Sequence, residues 1–141
     1  LDESQNRLED VVRQQPNHYR AHNQLGNVHL QRRNPSRALV HYEAACRITP
    51  DFAPAALNAG NASMLLAQPG RAIAYYERAV ALAPEVAMAW YGLGSAHLEL
   101  GRRDVASKIL RQGLERTHPE GRIRKAFLEQ LRKANGNPKT Q

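Results

Sequence analysis

Cysteine is almost missing from this chain. Of 141 residues only Cys46 carries a thiol. A lone cysteine forms no internal disulfide, and without a C-x-x-C pair there is no thiolate zinc site. A nucleophilic cysteine would also need a base and an orienting group beside it. It reads as a small residue packed between helices. Long apolar runs are missing too: no uninterrupted stretch approaches the roughly 18 residues of a membrane span. The opening residues Leu1 to Asp10 are polar and acidic, unlike a signal peptide. There is no initiator methionine, which predicts a fragment of a longer chain. No carboxylate pair, glycine-rich phosphate loop or nucleophile motif stands out. The expectation is therefore a protein without catalytic activity of its own and without a cofactor.

Apolar residues make up 42% of the chain, enough for a packed core. At this length folding buries roughly two thirds of the unfolded surface. The net charge of +7 is unevenly placed. Residues 1–101 hold nine Lys/Arg and nine Asp/Glu, while residues 102–141 hold eleven and four. Only the C-terminal part is basic.

The sequence repeats itself. Pro16, Pro50 and Pro84 are 34 residues apart, as are Gly26, Gly60 and Gly94, and Ala38, Ala72 and Ala106. Tyr42 and Tyr76 keep the step, followed by Leu110; Ala45 and Ala79 keep it, followed by Gly113. The units run 19–52, 53–86 and 87–120, each reading as two helices. Proline closes a unit because it lacks the N–H that a helix needs and forces its predecessor out of the α region. Asn34-Pro35, Gln68-Pro69-Gly70 and Gly101 are turn signals within units. Gly26 and Ala38 let helices approach closely, and Tyr42, Tyr76 and Trp90 are placed to fill the gaps between successive units. Ser4, Leu8, Val11 and Pro16 fall in register with Ala38, Tyr42, Ala45 and Pro50. Residues 1–18 thus read as the second helix of a preceding, truncated unit.

A C-terminal stretch, 118–134, reads as a capping helix. Ile123, Phe127 and Leu131 recur every four residues as one apolar stripe, expected to be buried, with Ala126 and Ala134 beside it. Thr117-His118-Pro119-Glu120 fits a capping box at its start. Asn135-Gly136 and Pro138 mark its end, leaving 135–141 as a flexible tail. Arg122, Arg124, Lys125, Arg132 and Lys133 occupy the other side, either as a solvated face or as a docking patch for anions.

The 34-residue pattern W-x2-L-G-x2-Y…A-x3-F…P resembles the tetratricopeptide repeat. The third unit carries Trp90, Leu93, Gly94 and Ala106, with His97 in place of the usual tyrosine. The first carries His22, Leu25, Gly26, His29, Ala38, Tyr42, Ala45 and Pro50. The second carries Ala56, Ala59, Gly60, Ser63, Ala72, Tyr76, Ala79 and Pro84. In the third unit His118 sits where proline belongs and Gly113 replaces the second alanine. The resemblance implies an all-α, right-handed superhelical solenoid whose first helices line a concave groove. Carried over by position, the peptide-binding residues would be Asn23, Asn27, Leu30, Leu57, Asn58, Asn61, Met64, Met88, Tyr91 and Leu98. Met88 and Gly92 stand where a carboxylate-reading groove has cations, so the resemblance implies an asparagine-lined groove for an extended peptide. Two further readings stay open: an accessory segment of a multidomain enzyme such as a glycosyltransferase, and a self-associating homo-oligomeric array.

His18, His22 and His29 share helical spacings of four and seven, which suits a metal, but His22 and His29 stand at packing positions of the repeat. Asn61-Ala62-Ser63 matches a glycosylation sequon inside an expected helix. Nucleic-acid binding has only the basic end in its favour, without interleaved aromatics. The expected partner is another protein.

Overall fold

A computed structural model describes residues 2–136 and is helical throughout, with no strand among the described residues. Pro138 and most of the expected tail lie outside them. The eight helices among the described residues are α1 (Asp2–Gln14), α2 (Tyr19–Gln31), α3 (Pro35–Ile48), α4 (Ala53–Leu65), α5 (Pro69–Leu82), α6 (Ala87–Glu99), α7 (Arg103–Thr117) and α8 (Gly121–Ala134). Helices α2, α4, α6 and α8 each start 34 residues after the last, and so do α3, α5 and α7. The period therefore fixes helix starts as well as side-chain positions.

Each turn between paired helices is three residues long and needs one residue in the left-handed region. Arg33, Ala67 and Gly101 supply it, at φ 58, 55 and 73°. Pro35 and Pro69 then open α3 and α5, where their missing N–H costs nothing. Asn34 adds a cap, its Oδ1 accepting from the Arg37 N–H at 3.2 Å.

Each helix packs on its neighbours in the chain, and α2, α4, α6 and α8 form a second row of contacts, each resting on the next. Small residues allow this: Ala38, Ala55, Ala59, Ala62, Ala72, Ala89, Ala96 and Ala106 are all fully buried. Large residues fill the remaining space. The Tyr76 ring is wedged between two glycines: a Cβ built on Gly60 would fall 2.6 Å from Tyr76 Cε1, and one on Gly92 2.5 Å from the same atom. Trp90, Leu110 and Phe127 form the last cluster, and the Trp90 indole N–H donates to the Pro84 carbonyl at 2.8 Å.

Helix α8 differs from the sequence reading in two respects. Ile123 is 41% exposed, while Phe127 is fully buried and Leu131 half-buried. The helix presses its Phe127 side on α6 and α7, and no element among the described residues covers the Ile123 side. The capping box is also not formed. Helix α7 runs on to Thr117, whose hydroxyl donates to the Gly113 carbonyl at 2.7 Å. His118 then takes a left-handed conformation, and Glu120 at the N-cap makes no side-chain cap bond. Pro119 is buried in the turn instead.

Candidate functional site

The residues expected to line a groove lie on α2, α4 and α6. Asparagine is a poor helix former, costing several tenths of a kcal/mol against alanine, so its recurrence on these helices needs a cause. The structure supplies one. Asn27 Oδ1 accepts from the Tyr42 hydroxyl at 2.7 Å, and Asn61 Oδ1 accepts from the Tyr76 hydroxyl at 2.6 Å. Burial pushes the Tyr42 phenol up to about 12 and the Tyr76 phenol higher still, so both keep their protons and donate. The amide NH2 groups of both asparagines remain as donors, and Asn27 is exposed. Between units, Asn58 Nδ2 donates to Asn23 Oδ1 at 3.0 Å.

These Tyr–Asn pairs are absent from the sequence reading, which placed the asparagines in the groove and the tyrosines in the core without joining them. A signal was there. In the third unit both partners change together: Ser95 stands at the Asn27 and Asn61 position, and Leu110 at the Tyr42 and Tyr76 position. Ser95 Oγ is accordingly buried with no hydrogen-bond partner.

The apolar candidates divide. Leu30, Leu57 and Met64 are half-buried and pack on the core. Met88 is 44% exposed. Tyr91 is engaged by α8: its ring lies 5.5 Å from Phe127 and its hydroxyl accepts from Gln130 Nε2 at 3.1 Å. Leu98 lines a cleft of about 300 Å3 with Ser95, Glu99, Arg103, Gln130 and Lys133. A second cleft, of about 240 Å3, opens between α4 and α6 and is lined by Ala53, Pro54, Leu57, Asn58, Ala79, Val86 and Ala89. Its walls are nearly all carbon, with Asn58 at the edge. Gly92 does not line the groove; it is buried against Tyr76.

The histidines have local tasks. His18 Nδ1 accepts from the Ala21 N–H at 3.1 Å, capping α2. His22 Nε2 lies 2.9 Å from the Pro16 carbonyl, which only accepts, so this nitrogen carries the proton. His22 Nδ1 lies 3.2 Å from His41 Nδ1, so one ring donates to the other, and His41 stacks on His29 with ring centroids 5.3 Å apart. Burial first, then the neighbouring His22 and His29, push His41 down to about 4. Burial raises the Cys46 thiol, which disfavours the reactive thiolate. Arg122, Arg124, Lys125, Arg132 and Lys133 are all exposed on α8. Among the described residues no helix is long and apolar enough to cross a membrane.

Two family models described as tetratricopeptide repeat match the chain, one over residues 1–53 and one over residues 63–131. No curated protein matches it in sequence. Solved structures do match in fold. The Sgt2 tetratricopeptide domain from Aspergillus fumigatus is 23% identical with a TM-score of 0.75, over 83% of this chain and 76% of that one. A MamA crystal structure is 20% identical with a TM-score of 0.81, over 94% and 72%. The first such domain of Spaghetti (RPAP3), bound to the HSP90 peptide SRMEEVD, is 20% identical with a TM-score of 0.76, over 83% and 90%. With both family models and this fold in agreement with the 34-residue period, the chain belongs to the tetratricopeptide repeat family.

Proposed function

We propose that this chain is a non-catalytic protein-interaction module that holds an extended segment of a partner protein along α2, α4 and α6. The observation that carries the reading is the pair of Tyr–Asn bonds. They clamp Asn27 and Asn61 by their carbonyl oxygens, so each presents its amide NH2 in a fixed orientation at the same place in successive units. An NH2 group donates to a peptide carbonyl whatever the side chain, which suits recognition of backbone. The carbon-lined cleft beside Asn58 adds a seat for one apolar side chain, and exposed Met88 adapts to varied shapes. That the similar Spaghetti domain binds a short peptide agrees with this use of the fold.

The test is selection of binders from a random peptide library against the whole chain, repeated with Met88→Trp. Met88 is exposed enough to accept the larger ring, which would then obstruct the groove. The selected peptides should bind the variant about tenfold more weakly or worse, a loss of about 1.4 kcal/mol. Equal binding would move the site elsewhere.

A further inference from the structure

We infer that the groove continues past α6 onto α8, and that this last stretch takes the acidic part of the segment it holds. The inference rests on the groove reading above and adds the chemistry of the ligand.

The register carries it. Helix α8 starts 34 residues after α6 and rests on α6 as α6 rests on α4. Phe127 occupies the position of Leu25, Ala59 and Leu93, and like them it is buried. The same side of the helix therefore faces inward, which fixes where the others point. Arg122 falls at the position of Arg20, Pro54 and Met88. Lys125 falls at that of Asn23, Leu57 and Tyr91. Arg132 falls at that of Leu30, Met64 and Leu98, and Lys133 at that of Gln31, Leu65 and Glu99. Among those twelve earlier residues only Arg20 is basic and only Glu99 acidic. On α8 all four positions are cationic, and they flank Glu129, which falls at the position of Asn27, Asn61 and Ser95. Arg124 lies outside this register. Among the described residues no ion pair engages any of the four cations.

A second observation comes from the cleft where α6 meets α8. Ser95 Oγ is buried there without a partner, because Leu110 has replaced the tyrosine that serves the same position in the other units. Lys133 and Arg103 line the same cleft and outweigh Glu99. A carboxylate seated in it lies beside two cations. A nucleic-acid strand fits less well. The one aromatic nearby, Tyr91, is already held by Gln130 and Phe127, so no stacking platform is free for the bases of a nucleic acid.

The experiment uses two fluorescein-labelled peptides, alike except that one ends in a run of glutamates and the other in glutamines. Fluorescence polarisation is measured with the whole chain, with Lys125→Gln/Lys133→Gln, with Arg124→Gln and with Met88→Trp. The glutamate peptide should bind the parent chain roughly fivefold to twentyfold tighter than the glutamine peptide, as expected for two or three exposed charge pairs. Added salt should erase the difference. The double variant should lose the preference, Arg124→Gln should keep it, and Met88→Trp should weaken both peptides. Equal binding of the two peptides to the parent chain overturns the acidic inference and leaves the groove reading standing. A preference that survives the double variant overturns it as well. Glutamate-peptide binding that Met88→Trp leaves intact overturns continuity between α6 and α8. A single-stranded oligonucleotide that displaces the glutamate peptide at equal concentration overturns the choice of polypeptide. Failure of both peptides to bind overturns this inference together with the groove reading.

Discussion

The Tyr42 hydroxyl donates to Asn27 Oδ1 across 2.7 Å, joining the second helix of a unit to the first. The bond explains why a poor helix former sits mid-helix, and why the tyrosine is polar although its ring is fully buried. It also makes Asn27 an ambiguous target for binding studies, because removing the amide strands a buried phenol.

Tyr42→Phe should therefore lower stability by about 0.5–1.5 kcal/mol, the net worth of an ordinary hydrogen bond. Asn27→Ala should cost at least as much, since the Tyr42 hydroxyl loses its acceptor. The two losses should be less than additive in the double variant, measured by urea unfolding. Strict additivity would mean the bond does not form in solution.

The wedged ring of Tyr76 predicts a contrast among glycines. Gly92→Ala puts a methyl 2.5 Å from Tyr76 Cε1 and should cost about 1–3 kcal/mol by overpacking. Gly70→Ala meets nothing within 4 Å and should be neutral or stabilising by up to about 1 kcal/mol. Thermal melts of the two variants should fall on opposite sides of the parent or nearly so.

Phe127 and Ile123 predict a second contrast. Phe127→Ala empties a fully buried site and should cost about 3–5 kcal/mol. Ile123→Ala removes a partly exposed side chain and should cost well under about 1 kcal/mol. Similar losses from both would restore the stripe expected from sequence.

The histidine chain makes stability depend on acidity. The folded protein holds His41 near 4, below its ordinary 6.5. As pH falls through 6.5 the unfolded chain gains a proton that the folded chain refuses until about pH 4. Stability should be full above about pH 6.5 and decline across the window down to 4. Glu9 works weakly in the other direction, favouring the charged ring. Nitrogen shifts of the imidazoles should show His41 titrating well below 6.5, and urea midpoints should drop between pH 7 and 5.

Much of the fold is legible in the sequence because a 34-residue period leaves its punctuation in view. Pro35 and Pro69 mark where second helices begin, and Gly26 and Gly60 mark where helices meet. What the period does not show is which neighbours exist. Ile123, Phe127 and Leu131 look alike in a helical stripe, yet burial falls on Phe127 because α6 and α7 cover only that side. Thr117 looks like a cap, but α7 runs on through it and its hydroxyl bonds back to the Gly113 carbonyl within the same helix. The Tyr–Asn bonds cross between helices, so spacing alone hides them. Only the joint change to Ser95 and Leu110 betrays them. The groove register of α8 was hidden for a simpler reason: its Leu128 has replaced the glycine that marks every other first helix.

The binding face lies on the first helices of the units if the proposed function holds. The most direct measurement is a titration of the isotope-labelled chain with a selected peptide, followed by NMR. The side-chain amides of Asn27, Asn58 and Asn61 and the methyls of Met64 and Met88 should shift, while the Val40 methyls, 63% exposed on the second-helix side, stay in place. Shifts concentrated at Val40 and along α3 and α5, with those amides and methyls unmoved, would contradict it.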